Sequence, residues 1–168
     1  MRTLILFSLL YSFTFMSCNS QKRDKEETVA VSPKVDTAKV VKLSNKEWRS
    51  ILSSEQYHIL REKGTDKPFT GKYYLTNDKG VYQCAACGNE LFTSDMKFDS
   101  DCGWPSFDKA LEGGKIKTAP DNSYGMLRTE ILCARCGGHL GHLFEDGPTE
   151  TGLRYCVNST SLNFLKEK

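Results

Sequence analysis

Two C-x-x-C pairs, Cys84-Ala85-Ala86-Cys87 and Cys133-Ala134-Arg135-Cys136, constrain this chain more than any other feature. Each runs into glycine, Gly88 after the first and Gly137-Gly138 after the second. A C-x-x-C on a tight turn aims both sulfurs at one point, and the glycine lets the backbone turn so that its amides face the thiolates. Two such knuckles supply four thiolates, a closed tetrahedral shell for structural Zn2+ with no open position for chemistry. The gap between the pairs is longer than in a compact zinc ribbon. A metal held there pins together two distant parts of one domain, which helps a small core. The same residues also read as two disulfides formed after export, or as two thioredoxin-type redox pairs. A thioredoxin-type pair opens a helix, and no helical pattern follows either knuckle.

The chain has seven cysteines, an odd number. Four belong to the knuckles, and Cys102 and Cys156 stand alone. The seventh, Cys18, follows an N-terminal pattern of one basic residue (Arg2), an apolar run from Leu4 to Met16, and small Ser17. A membrane span needs roughly 20 apolar residues, so this run has the size of a signal-peptide core. The expectation is a lipoprotein-type signal over residues 1–17, with Cys18 acylated as the new N-terminus. Phe15 and Met16 are bulkier than the residues usual before such a site. The protein is then exported and membrane-anchored through lipid, facing the periplasm or cell exterior. Residues 18–42 are polar and mixed in charge, with Pro33 and no apolar periodicity, and read as a flexible tether. Residues 43–168 have the size of one domain. Formal net charge is +2, and +1 once Arg2 leaves with the signal. That balance gives no argument for nucleic acid or an anionic surface as partner.

Ser44-x-x-Glu47 is a capping box ahead of Trp48, Ile51 and Leu52, and predicts a short helix. Ser53 or Ser54 caps a second, carrying Tyr57, Leu60 and Arg61, with Gly64 as its stop. Beyond Gly64 the texture is β. Strands are expected at Lys72–Thr76, Val81–Gln83, Leu127–Leu132 and Arg154–Asn158, with a turn over Asn77–Gly80 and an irregular Gly- and Pro-rich stretch over Cys102–Asn122. The expected fold is mainly β and antiparallel, with short N-terminal helices, a single zinc-clipped domain.

Alternation along Arg154-Tyr155-Cys156-Val157-Asn158 puts Arg154, Cys156 and Asn158 on one face and Tyr155 and Val157 towards a core. A cationic neighbour favours the thiolate, and a free cysteine with pKa about 8.5 is otherwise only a few per cent ionised at neutral pH. Asn158 is placed to orient substrate or water. A buried structural cysteine is the plainer reading, opposed by the polar residues on the same face. Cys102 lies in Asp101-Cys102-Gly103-Trp104-Pro105-Ser106-Phe107, a glycine-adjacent loop that can move as a resolving cysteine must. Trp104 can wall an apolar pocket. His139-Leu140-Gly141-His142 is a weak signal alone, open also to a metal site shared with some of the cysteines. Asp146 is placed to orient an imidazole.

The string Gly103–Phe107, then Gly125-Met126 with Arg128 and Glu130, then His139–His142 with Phe144, then Asp146-Gly147-Pro148 and Arg154–Ser159 resembles the type B methionine sulfoxide reductases. The resemblance runs from about Leu43 to Phe164, and both knuckles match the zinc-containing members. It implies two antiparallel β sheets and thiol-dependent reduction of methionine R-sulfoxide in oxidised proteins. It implies Cys156 as the nucleophile that becomes a sulfenic acid and Cys102 as the resolving cysteine. It also implies Trp104 as the wall around the substrate methyl group, and His142, His139, Asp146, Arg154 and Asn158 as active-site positions. Two residues depart from the pattern. Asp101 stands where glycine is common before the resolving cysteine, and Tyr124 where histidine is common before Gly125-Met126.

On that resemblance the Cys156 thiolate attacks the sulfoxide sulfur, and His142 protonates the departing oxygen. The sulfenic acid condenses with Cys102, which needs Cα atoms within about 7 Å. A thioredoxin-like donor restores the thiols. Two rivals remain: a zinc-ribbon binding module presenting Trp104 and Phe107, and an exported thiol-disulfide exchange protein working through its C-x-x-C pairs.

Overall fold

A computed structural model describes residues 40–168. The expected signal at 1–17, the acylated Cys18 and nearly all of the 18–42 tether lie outside the described residues.

The expected capping box forms, and of the two candidate caps for the second helix Ser53 serves, in a box of its own. Ser44 and Glu47 exchange side-chain and backbone bonds to open α1 (Asn45–Ile51), and Ser53 with Gln56 does the same for α2 (Ser54–Glu62). Each satisfies orphan amides of a first turn. α2 stops one residue earlier than expected. Its C-cap is Lys63, a non-glycine residue in the left-handed region at φ 59, with Gly64 following. Tyr57, Ile59 and Leu60 are the buried residues of α2. Among the described residues no helix is long and apolar enough to cross a membrane.

Among the described residues nine strands form two antiparallel sheets. The smaller has the order β2 (Glu90–Thr93), β1 (Gly80–Cys84), β9 (Leu162–Lys166). The larger runs β3 (Lys97–Phe98), β4 (Ser106–Phe107), β8 (Arg154–Val157), β7 (His139–Phe144), β6 (Arg128–Cys133), β5 (Ile116–Asp121). Aromatic rings from the two sheets fill the space between them. Phe92 of β2 stacks on Phe107 of β4 at 4.1 Å between centroids, and Tyr82 of β1 meets Phe107 edge-on at 5.0 Å. Trp48, Leu52 and Leu60 from the helices join the same core. Tyr155 and Val157 face it from β8, as alternation predicts.

Two expectations fail. Lys72–Leu75 is a turn, not a strand. Tyr73 spends its aromatic ring on Tyr82 and Phe164, and its N–H bonds to the Ser159 hydroxyl at 3.2 Å, so no neighbouring strand takes up its backbone. Conversely, the stretch expected to be irregular contains β4 and the six-residue β5, which pairs with β6 along its whole length. Pro120 is tolerated because β5 is an edge strand, where a missing N–H costs no ladder bond.

Candidate active site

Cys84 ends β1, and Cys87 lies in the turn after it; Cys133 ends β6, and Cys136 lies in the turn leading to β7. Gly88 and Gly137 take φ 69 and 70. Their amides close the knuckles onto the Cys84 and Cys133 carbonyls at 2.8 Å, so the N–H groups serve the turns themselves. The four sulfurs lie within 4.8 Å of one another. Contacts run between the pairs, Cys84 to Cys136 at 3.7 Å and Cys87 to Cys133 at 3.6 Å. A tetrahedral ion with Zn–S about 2.3 Å needs sulfurs about 3.8 Å apart. The donor set therefore fits one metal of that size, and it fits a pair of independent redox dithiols poorly. The cluster ties the smaller sheet, through β1, to the larger, through the β6–β7 turn.

β7 leaves that turn with an irregularity. Leu132 pairs with His139 and Ile131 with Gly141, so Leu140 is an extra residue on β7. Without it, His139 and His142 would point to opposite faces. With it, the two rings meet edge-on at 5.5 Å. His139 is buried, and its Nδ1 lies 2.8 Å from Glu130 Oε1. Burial pulls its pKa below the ordinary histidine value, with Glu130 opposing. Lys63 Nζ bonds the other Glu130 oxygen at 2.7 Å. His142 Nε2 lies 2.7 Å from Asp121 Oδ2, which Arg128 also bonds at 2.8 Å. The Asp121 carboxyl is held well below the usual carboxylate range, first by the Ser123 hydroxyl and amide, then by His142 and Arg128.

His142 stands directly opposite Cys156 on β8, and Ser106 stands opposite it on the other side. Cys156, His142, Trp104, Phe144, Arg128, Thr65, Gly141 and Asn158 line one cleft of about 130 Å³. Gly141 cannot be replaced there without displacement, because a Cβ would sit 2.0 Å from the Cys156 carbonyl oxygen. Trp104 donates its indole N–H to the Asp66 carbonyl at 3.0 Å. Asn158 is buried, and its side chain is spent on the fold: Nδ2 donates to the Leu140 carbonyl at 3.1 Å, and Oδ1 accepts the Asp66 N–H at 2.9 Å. Its lining role is to hold shape, in place of the free amide expected to orient water. Phe107 is fully buried, so it cannot serve the recognition surface of the binding-module reading.

Asp146 corrects an expectation. It does not orient an imidazole; it grips Arg154 with both oxygens, to Nε at 2.8 Å and Nη2 at 2.7 Å. Arg154 also lies over the Phe144 ring at 4.4 Å. The carboxylate on His142 comes from Asp121, outside every motif read in the sequence. Glu130 was visible only as part of a string, without its partner.

Cys102 and Cys156 bring their sulfurs to 3.8 Å. Ser100 Oγ lies 3.0 Å from Cys102 Sγ, and Ser106 Oγ 3.5 Å from it. At 3.8 Å one thiol can donate to the other, so the pair can hold a single proton between them. The Cys156 S–H, with the Ser100 and Ser106 hydroxyls, holds Cys102 down to about 4. Cys102 and burial push Cys156 up, while Arg154 pulls it down. Asp101, the departure from glycine, has φ 51, a left-handed value that glycine adopts freely and Asp tolerates better than most residues. Tyr124 has φ 54 and is 91 % exposed.

The SelR domain model matches residues 52–166. The chain belongs to the SelR-domain family. It is 55% identical over 128 residues to a protein of Methanosarcina mazei, covering 76% of this chain and 91% of that one. It is 57% identical over 127 residues to one of Leptospira interrogans, covering 76% and 97%. With one of Agrobacterium fabrum it shares 55% identity over 128 residues, covering 76% and 95%. All three are named peptide methionine sulfoxide reductase MsrB. The family match spans both knuckles, both lone cysteines and every residue of the cleft.

The shared proton makes a specific prediction. Alkylation of Cys102 by iodoacetamide, followed by peptide mapping, has its midpoint near pH about 4 in the reduced protein. Cys156→Ala removes the leading hydrogen bond to the thiolate, and the midpoint rises towards the ordinary value of about 8.5. A midpoint unmoved by that change rules out the pairing as the cause.

Proposed function

We propose that this protein is a peptide methionine sulfoxide reductase acting on the R epimer, with Cys156 as nucleophile and Cys102 as resolving cysteine. The observation that carries the reading is the placement of Cys156 between His142 and Cys102, in a cleft also lined by Trp104, in a chain 55% identical over 128 residues to a protein of that name.

Before attack the shared proton passes from Cys156 to Cys102, and Arg154 stabilises the charge left on Cys156. The Cys156 thiolate attacks the sulfoxide sulfur, while Trp104 and Phe144 enclose its methyl group. His142, steadied by Asp121, gives a proton to the sulfoxide oxygen; the oxygen then passes to Cys156 as the S–O bond to methionine and the transient Cys156–methionine S–S bond both break. Methionine leaves and Cys156 is a sulfenic acid. The Cys102 sulfur then displaces that oxygen as water and forms the disulfide. From 3.8 Å the sulfurs need to close to about 2.05 Å. A dithiol donor of thioredoxin type reduces the disulfide, becoming oxidised itself.

The four knuckle cysteines hold Zn2+ in a structural role. When bound, the ion supplies a cross-link between the sheets and no chemistry at the sulfoxide. At the N-terminus, Arg2, the apolar run Leu4–Met16 and Ser17 support a lipoprotein signal. Cys18 is then acylated, and the enzyme works outside the cytoplasm, tethered to a membrane by residues 18–42.

Three measurements check these statements. Turnover of a mixed R and S sulfoxide peptide with a small dithiol consumes only the R epimer. Cys156→Ser abolishes it, Cys102→Ser releases about one methionine per chain without thioredoxin-driven recycling, and His142→Gln slows it by about 10²-fold. Consumption of the S epimer, or turnover by Cys156→Ser, overturns the reading. Elemental analysis finds one zinc per chain, and its removal under reducing conditions lowers Tm on the order of 10 °C or more. A metal-free protein of unchanged Tm overturns the structural role. Labelled fatty acid enters the full chain in cells and fails to enter Cys18→Ser; equal labelling of both removes Cys18 as the anchor.

A further inference from the structure

The cleft wall is held from a segment that none of the signature motifs includes. Gly64–Tyr73 runs from α2 past the substrate cleft, and Asp66 bonds at three separate atoms. Its N–H donates to Asn158 Oδ1 at 2.9 Å, and its carbonyl accepts the Trp104 indole N–H at 3.0 Å. Its carboxylate Oδ2 accepts the Thr160 N–H at 2.9 Å. Thr160 lies in the first turn of a short 3-10 helix, Ser159–Ser161, which directly follows β8. Asn158 is the N-cap of that turn, yet its own side chain makes no cap bond there. Asp66 therefore caps the turn from another part of the chain.

We propose that Asp66 is a positioning residue for sulfoxide reduction, one main-chain peptide and one carboxylate that together set Trp104 against Asn158 across the cleft. The proposal rests on the function proposed above and adds a residue to it. The carboxylate fixes where the Asp66 backbone lies. That backbone then sets the Trp104 ring plane through the indole bond, and fixes the Asn158 amide two residues beyond Cys156. The neighbouring Thr65 lines the cleft itself. The segment has little freedom to serve otherwise. A Cβ on Gly71 would lie 2.4 Å from Ser159 Oγ, and one on Gly103 would lie 2.8 Å from Pro68, so it is pressed against both the strand end after Cys156 and the loop carrying Cys102. With the carboxylate gone, the polar groups left behind favour a shifted segment, and misplacement by about 1 Å at a reacting site is enough for large rate losses.

The test compares Asp66→Ala and Asp66→Asn in the metal-loaded, reduced chain. Asn keeps an oxygen that accepts the Thr160 N–H; Ala does not. For a blocked methionine R-sulfoxide peptide, Asp66→Ala lowers kcat/KM by about tenfold, chiefly through KM, and Asp66→Asn stays within about threefold of the parent. Acrylamide quenching reads the wall directly, because Trp48, the other tryptophan, is 1 % exposed. Quenching of Trp104 increases in Asp66→Ala and is restored in Asp66→Asn. Alkylation of Cys156, which does not use the methyl pocket, stays within about twofold in both. Unchanged KM and quenching in Asp66→Ala overturn the proposal. So does a parallel fall of turnover and Cys156 alkylation, the mark of a residue needed only for folding. If the parent itself turns over no sulfoxide, the proposed function fails, while the quenching comparison still decides whether Asp66 holds Trp104.

Discussion

The four-sulfur cluster is the constraint on which the site depends. Cys84 and Cys87 belong to the smaller sheet and its turn, Cys133 and Cys136 to the β6–β7 turn of the larger. Four sulfurs within 4.8 Å fix the start of β7 relative to β1. β7 is the strand that carries His139, Gly141 and His142, and its extra residue at Leu140 sets which face they share. A slip by one residue along β7 would send His142 to the opposite face from Cys156. The cluster touches no cleft residue, yet the pairing of imidazole with thiol follows from where it anchors the strand.

Charge is arranged so that each imidazole has one carboxylate. Glu130 is 1 % exposed, and burying a carboxylate is tolerated only with partners. It has two, His139 and Lys63. Lys63 explains why α2 ends on a left-handed non-glycine residue with Gly64 standing next in line: its ammonium reaches Glu130, which no glycine does. Asp121 plays the corresponding part for His142, with Arg128 as the balancing cation. Asp146 then belongs wholly to Arg154, keeping that guanidinium near the thiol pair.

What the sequence made legible was local. The capping box at Ser44, the knuckles, and the alternation of Arg154, Cys156 and Asn158 all depend on spacings of two to four residues. What it hid was distant. Asp121 meets His142 across 21 residues, and Asp66 meets Asn158 across 92; no spacing rule reports such pairs. Asp146 misled because it sits close to His142 in sequence, while the turn after β7 carries it to Arg154. Lys72–Thr76 misled because its aromatics have strand-like composition, but Tyr73 packs as a single anchor into the core. β5 was obscured by glycine before it and proline within it, and it is specified by pairing with β6 more than by its own residues. Asp101 stands where glycine is common because its position is left-handed, at φ 51; nothing in the structure explains Tyr124 in place of histidine.

The geometry of the thiol pair removes an apparent conflict between the two cysteines. A nucleophile must be ionised, yet the contact with Cys156 and the hydroxyls of Ser100 and Ser106 pull the Cys102 thiol down instead. In the mechanism proposed above, one proton moving across a contact of 3.8 Å exchanges the roles without any proton from solvent. Arg154 lies beside Cys156 to accept the new charge. On the same proposal, that proton is the one Cys102 must lose when the Cys156 sulfenic acid condenses with it, and the departing hydroxyl is the group that takes it, as water. In that scheme the same proton arms the first thiol, keeps the second from competing during attack, and leaves with the oxygen, while the hydroxyls of Ser100 and Ser106 hold Cys102 ready for the second step.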